Sequence, residues 1–168
     1  MRERLILSAI LIVCGALTGL AAADGARRRL RILGRLTEAV RLLRVRMLER
    51  AEPLRSALER TEEATFGEIA RSMDDLTDAS EAWRRVREKL TRRGGALDCL
   101  TESDLAALTE LFDGLGRSGQ AEQRLLLDAA LEALKHAQTD ARAQMERANR
   151  LYPSVGLLVA ATAVVLLL

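Results

Sequence analysis

The sequence predicts an all-α protein, an antiparallel bundle of about six helices flanked by N- and C-terminal transmembrane helices. Three observations lead there. Aromatic residues are 2% of the 168-residue chain, against 49% hydrophobic and 30% charged, a composition that suits helices rather than the Val-, Thr- and Tyr-rich strands of a sandwich or barrel. Apolar residues recur at spacings of three and four, and no strand-period segment or Asn-Gly hairpin turn appears. A charged middle lies between two charge-free ends.

After a short tip, residues 1–4, the first charge-free run covers residues 5–23, 19 residues in all. As a helix it extends about 28 Å, close to the hydrocarbon thickness of a bilayer. The second covers residues 151–168, 18 residues, with Pro153 near its start, where a missing N–H is tolerated. Arg27, Arg28, Arg29, Arg31 and Arg35 follow the first run, and Arg142, Arg147 and Arg150 precede the second. Positive charge is retained on the cytoplasmic side, so residues 24–150 are expected there as one helical domain. The alternative is a secreted helical protein whose residues 1–23 are a signal peptide cleaved near Ala21-Ala22-Ala23; the arginines directly after the run oppose export.

Within the middle, Leu30, Leu33, Leu36, Val40, Leu43 and Met47 line one helical face, with Arg29, Arg31, Arg35, Glu38, Arg41 and Arg46 placed opposite. No proline separates this helix from the first charge-free run. Pro53 stops it, and Leu54, Ala57, Leu58 and Thr61 begin a second. Phe66, Ile69, Met73 and Leu76 form a third stripe. Thr77-Asp78 with Glu81 reads as a helix start for a stripe of Ala79, Ala82, Trp83, Val86 and Leu90, ended at Gly94-Gly95. Thr101 with Asp104 opens a fifth helix carrying Leu105, Leu108, Leu111, Phe112 and Leu115, ended by Gly114 and Gly116. Ser118 caps the longest, from Gly119 to Arg150, whose faces carry Leu126, Ala130, Ala133, Ala137, Ala141, Gln144 and Ala148.

Charge and chemistry narrow the function. The 26 cations and 24 acids leave +2, no overall imbalance that would mark nucleic-acid binding. Residues 27–60 are strongly basic and residues 61–81 strongly acidic, blocks expected to be solvated faces that attract each other within the fold. One His and two Cys give no metal-ligand spacing. Gly114-Leu115-Gly116-Arg117-Ser118-Gly119 lacks the Lys-Ser/Thr of a phosphate loop. Asp74, Asp75 and Asp78 precede a helix, where acids suit the dipole. Cys14 lies in the first run and Cys99 in a helix–helix loop, neither beside triad partners. No catalytic, cofactor or metal residue is assigned, and a non-enzymatic protein is expected.

Four ordered pieces resemble the stage III sporulation protein AB family. They are Leu43-x3-Met47-x5-Pro53-Leu54; Ala82-Trp83; Phe112-x2-Leu115-Gly116-x-Ser118-x4-Gln123; and Tyr152-x-Ser154-Val155-Gly156 running into the terminal apolar segment. The chain departs from the family pattern at Arg46, where an acid is usual, at Met47, where Ile is usual, and at Gly119, where Asp is usual. The resemblance implies a membrane component of the mother cell–forespore channel complex, in the mother-cell membrane around the forespore, with a bundle similar to the cytoplasmic domains of type II secretion and type IV pilus platform proteins. It implies a cytoplasmic secretion-type ATPase and other channel-complex membrane proteins as partners, with homo-oligomer formation a further option. Pro53, Leu54, Trp83, Leu115, Gly116, Ser118, Gln123 and Gly156 are its motif positions. Arg35, Arg41 and Arg46 are the candidate partner face, expected to make a charge-dominated contact. A membrane-anchored regulator is the rival reading.

Overall fold

The computed structural model describes the backbone of residues 2–73, 78–117 and 119–167, and side chains from residue 24 to residue 147 of these. Among the described residues there are six α-helices and no strand: α1 Arg2–Leu48, α2 Leu54–Glu59, α3 Ala64–Ser72, α4 Ala79–Thr91, α5 Glu102–Gly114 and α6 Gln120–Leu167. The chain divides into two compact units, residues 1–28 with 140–168, and residues 29–139. Among the described residues no helix is long and apolar enough to cross a membrane. The side chains of the two charge-free runs, expected as spans, lie outside the described residues, as do Cys14 and Gly156.

Helix boundaries in the second unit follow local chemistry. Pro53, at φ −57° and ψ 142°, starts α2, and its carbonyl accepts from Ala57 N at 2.9 Å. Asp78 caps α4 by accepting from Glu81 N at 2.9 Å, satisfying one of the donors a helix start leaves open. Thr101 and Asp104 form a reciprocal capping box on α5. After α4 the chain turns at Gly94, φ +86°. A Cβ on the next residue, Gly95, would stand 2.2 Å from the Leu90 carbonyl oxygen. Gly116 adopts φ +82° after α5, a conformation costly to any residue with a Cβ.

The core of this unit is closed. Leu33, Leu36, Val40 and Leu43 of α1 are fully buried. Trp83 stacks on Phe112 at 5.4 Å, and Phe66 meets Phe112 edge-on at 5.5 Å, geometries that aromatic pairs favour. The Trp83 indole donates to Thr109 Oγ1 at 2.9 Å, so its one polar atom is satisfied. Helices α2, α3, α4 and α5 pack in sequential pairs. Helix α6 runs antiparallel to α1: Gln120 Nε2 donates to the Leu48 carbonyl, Arg44 Nε donates to Asp128 Oδ1 at 2.7 Å, and Gln138 Nε2 donates to Thr37 Oγ1 at 2.5 Å.

Arg29 departs from the sequence expectation. It was placed on the outward face of the first helix, but it is 6% exposed. Its Nε and Nη2 donate to the two carboxylate oxygens of Asp104 at 2.8 and 2.9 Å. Asp104 also accepts from Thr101 N at 2.9 Å. Desolvation pushes this carboxyl up, but the Arg29 and Thr101 hydrogen bonds outweigh it and hold it below the usual carboxylate range. Spacing explains the placement: Arg29 precedes Leu33 by four residues and Leu36 by seven, so it shares their stripe.

Helix α6 departs in two ways. It continues past Arg150 and through Pro153 to Leu167 as one helix, where a break near residue 150 was expected. Its buried line is Leu127, Ala130, Leu134 and Ala141, whereas Ala133 and Gln144 are exposed. Alanine fits either face, so its spacing alone does not orient a helix. The charge blocks meet at Arg35 and Glu63, 3.8 Å apart. Other acids of the second block pair elsewhere, Glu68 with Lys89, Asp78 with Arg117 and Glu81 with Arg85. Ser118 and Leu76 lie outside the described residues.

Two outcomes follow from this architecture. Asp104→Ala leaves the Arg29 guanidinium buried without its partner and is expected to lower stability by about 3–5 kcal/mol, read by denaturant unfolding. Because the folded carboxyl titrates below its unfolded value, its contribution is present above the unfolded pKa and is lost as pH falls through the folded one; Asp104→Asn should flatten that acid-side decline. Gly116→Val is expected to cost about 1–3 kcal/mol through backbone strain, with the Leu54 side chain 3.3 Å from the new Cβ. A parent-like melting curve for Gly116→Val would refute the strained turn.

Candidate functional site

The resemblance-bearing positions divide between core and one end of the second unit. Trp83 and Leu115 are buried and serve packing. Leu54, half-buried, lies over Gly116, its Cδ2 being the nearest side-chain atom to where a Gly116 Cβ would stand. The Pro53-Leu54 and Leu115-Gly116 pieces, far apart in sequence, therefore meet where α1 ends and α6 begins. Arg117, between Gly116 and Ser118, pairs with Asp78 at the start of α4. That contact, with the Glu81 N–H, holds the exposed Asp78 carboxyl below its ordinary range. Gln123 is half-buried and its backbone N donates to the Gly119 carbonyl at 2.9 Å. Gly119, where the family usually has Asp, has open space around it.

The three arginines expected to form one partner face do not lie on one exposed surface. Arg46 is folded inward, its side chain 16% exposed and its Nη1 3.3 Å from Glu52 Oε1. Its buried Nε has no partner among the described residues. Arg35 and Arg41 are exposed, 59% and 57%, but each already faces an acid of the same chain: Glu63 at 3.8 Å and Glu38 at 2.9 Å. The reason is angular: Arg46 is three residues past the core residue Leu43 and turns toward the 49–53 turn, while positions 35 and 41 point away from the core.

Between the exposed face of α1 and the Thr61–Glu63 segment lies a groove of about 670 Å³. Its lining is largely apolar, with Gly34, Ala39, Leu42 and Val45 alongside Arg35 and Arg41. Glu62 on the opposite wall has φ +59°, a backbone state that non-glycine residues occupy at a cost. The sequence reading recognised the arginines but missed the groove, which needs the return of the chain at residues 61–63. The available signal was Leu42, an apolar residue off the core stripe; it is 37% exposed.

Among the described residues no group of three or more His, Cys, Asp or Glu could hold a metal ion. His136 is exposed on α6. Cys99, half-buried, lies between α4 and α5. What the unit offers is surface: a groove beside α1 and a cross-braced end around Leu54, Gly116 and Arg117.

No curated protein and no solved structure matches the chain. A family model described as stage III sporulation protein AB matches residues 4–168. That family is one of sporulation proteins and not a known enzyme family. With almost the whole length matched, the chain belongs to the stage III sporulation protein AB family and has a role in stage III of sporulation.

Proposed function

We propose that the protein is a non-enzymatic platform of the channel complex between mother cell and forespore. Residues 5–23 and 151–168 span the mother-cell membrane around the forespore, and residues 24–150 lie in the cytoplasm. The domain links a cytoplasmic secretion-type ATPase to the membrane components of the channel. The observation that carries this reading is the family match over residues 4–168 on a helical unit whose first and last helices lead into charge-free runs. Both runs belong to the same compact unit, which suits a chain entering one membrane twice. The arginines beside each run favour the cytoplasmic side for the middle. A domain without a phosphate loop in its sequence takes its energy from another subunit, and nucleotide is available on that side.

Topology is testable through Cys99. In a Cys14→Ser background, Cys99 is expected to escape membrane-impermeant thiol reagents in intact cells and to react once cells are opened in denaturant. Labelling in intact cells would reverse the orientation. The motor link is tested by titrating the full-length protein in detergent with the purified ATPase of the same complex. Saturable binding is expected; folded partners that fail to bind at any salt concentration would remove the platform from its motor.

A further inference from the structure

We propose that residues 51–62 form a hinged strap beside α1, closed in this structure and built to open as one unit while the core stays folded. Two described non-glycine residues have positive φ, Ala51 at +52° and Glu62 at +59°, and they stand on either side of α2. A Cβ crowds the following carbonyl oxygen in that conformation, a strain that glycine escapes. Strained joints at both ends of one short element persist only while the surroundings hold them. An open strap lets both joints relax.

The strap is lightly held. Helix α2 has six residues, no side-chain hydrogen bond at its Pro53 cap, and only Ala57 and Leu58 buried. A helix that short draws its stability from what it packs against, and here that is little. Ala57 N donates to the Pro53 carbonyl at 2.9 Å, Arg60 N to that of Ser56 at 3.1 Å, and Thr61 N to that of Leu58 at 3.2 Å. All three bonds close within the strap, so opening takes none of them from α1, α3 or α5.

Two ion pairs clasp the joints to α1. Arg46 Nη1 lies 3.3 Å from Glu52 Oε1, next to Ala51, with both side chains largely sheltered from water. Arg35 Nε lies 3.8 Å from Glu63 Oε2, next to Glu62, and is exposed. Positions 35 and 46 are about three turns apart and fall on one side of α1. Opening therefore frees Arg46 and loosens Arg35 on that side, and it uncovers Leu58. The closed strap is an autoinhibitory cover: the glutamates at its joints occupy cations that an acidic surface would otherwise meet.

The test is native-state hydrogen exchange on the full-length protein in detergent, read residue by residue. Amides of Ala57, Arg60 and Thr61 are expected to open together, about 100-fold or more often than α1 amides between residues 33 and 43. Ala51→Gly and Glu62→Gly relax the joints and are expected to slow exchange in the strap about threefold to fivefold each. Glu62→Ala keeps a Cβ and should exchange as the parent does. Arg46→Met opens the sheltered clasp and should speed the strap about tenfold while α5 amides keep their rate. Arg35→Gln, on an exposed pair, should speed it about twofold and keeps the test valid if Arg46→Met misfolds. Strap amides that exchange at the rate of the α1 amides would overturn the hinged unit. Parent-like exchange in both glycine variants, or equal slowing by Glu62→Ala, would overturn the strained joints. Acceleration spread evenly over all helices in both arginine variants would overturn the clasp.

Discussion

The buried pair of Arg29 and Asp104 is the constraint on which the arrangement of the second unit depends. Removing two charges from water costs several kcal/mol per ion, a cost balanced only when geometry is good and the remaining hydrogen-bonding groups are satisfied. Here both conditions are met. The guanidinium engages both carboxylate oxygens, and Asp104 also accepts from the Thr101 backbone. Such a pair adds little net stability over an apolar contact of the same shape, but it is exacting about position. It therefore sets the start of α1 in this unit against the first turn of α5 and disfavours other registers, because any slip leaves a charge buried alone.

The remaining packing follows from that tie. Helix α5, placed by its capping box, presents Phe112 to Trp83 of α4 and to Phe66 of α3, and α3 packs on α2. The return of the chain through residues 61–63 brings Glu63 to Arg35 and forms one wall of the groove. Turns at the far end are held by backbone conformation as much as by contacts. Gly116 at φ +82° admits the approach of Leu54, and Arg117 braces the same loop against the cap of α4.

Internal pairing of charge shapes what is left for a partner. The chain is rich in arginine, yet many arginines face acids of the same chain, including Arg44 with Asp128 and Arg87 with Glu102. Exposed pairs of this kind contribute little to stability. Their effect on recognition is larger, since a paired cation attracts an acidic partner less strongly than a free one. Apolar exposure at Leu42 therefore gains weight as a recognition feature.

The sequence by itself determined the all-α class, the helix starts at Pro53, Asp78 and Thr101, the glycine stops, and most of the core stripes, because capping and period are local properties of a few neighbouring residues. It also carried the family resemblance, as a set of ordered short pieces. Tertiary structure alone decided where Arg29, Arg46 and Asp104 point, which face of α6 is buried, and that a groove exists beside α1. These depend on partners 6 to 105 residues away. Arg29 lay on the apolar stripe by spacing, but a charged residue is assigned to water until its counterion is known, and only the fold supplies the counterion. Alanines on α6 carry too small a side chain to report which side faces the core, and a groove is a relation between two segments that local spacing cannot express.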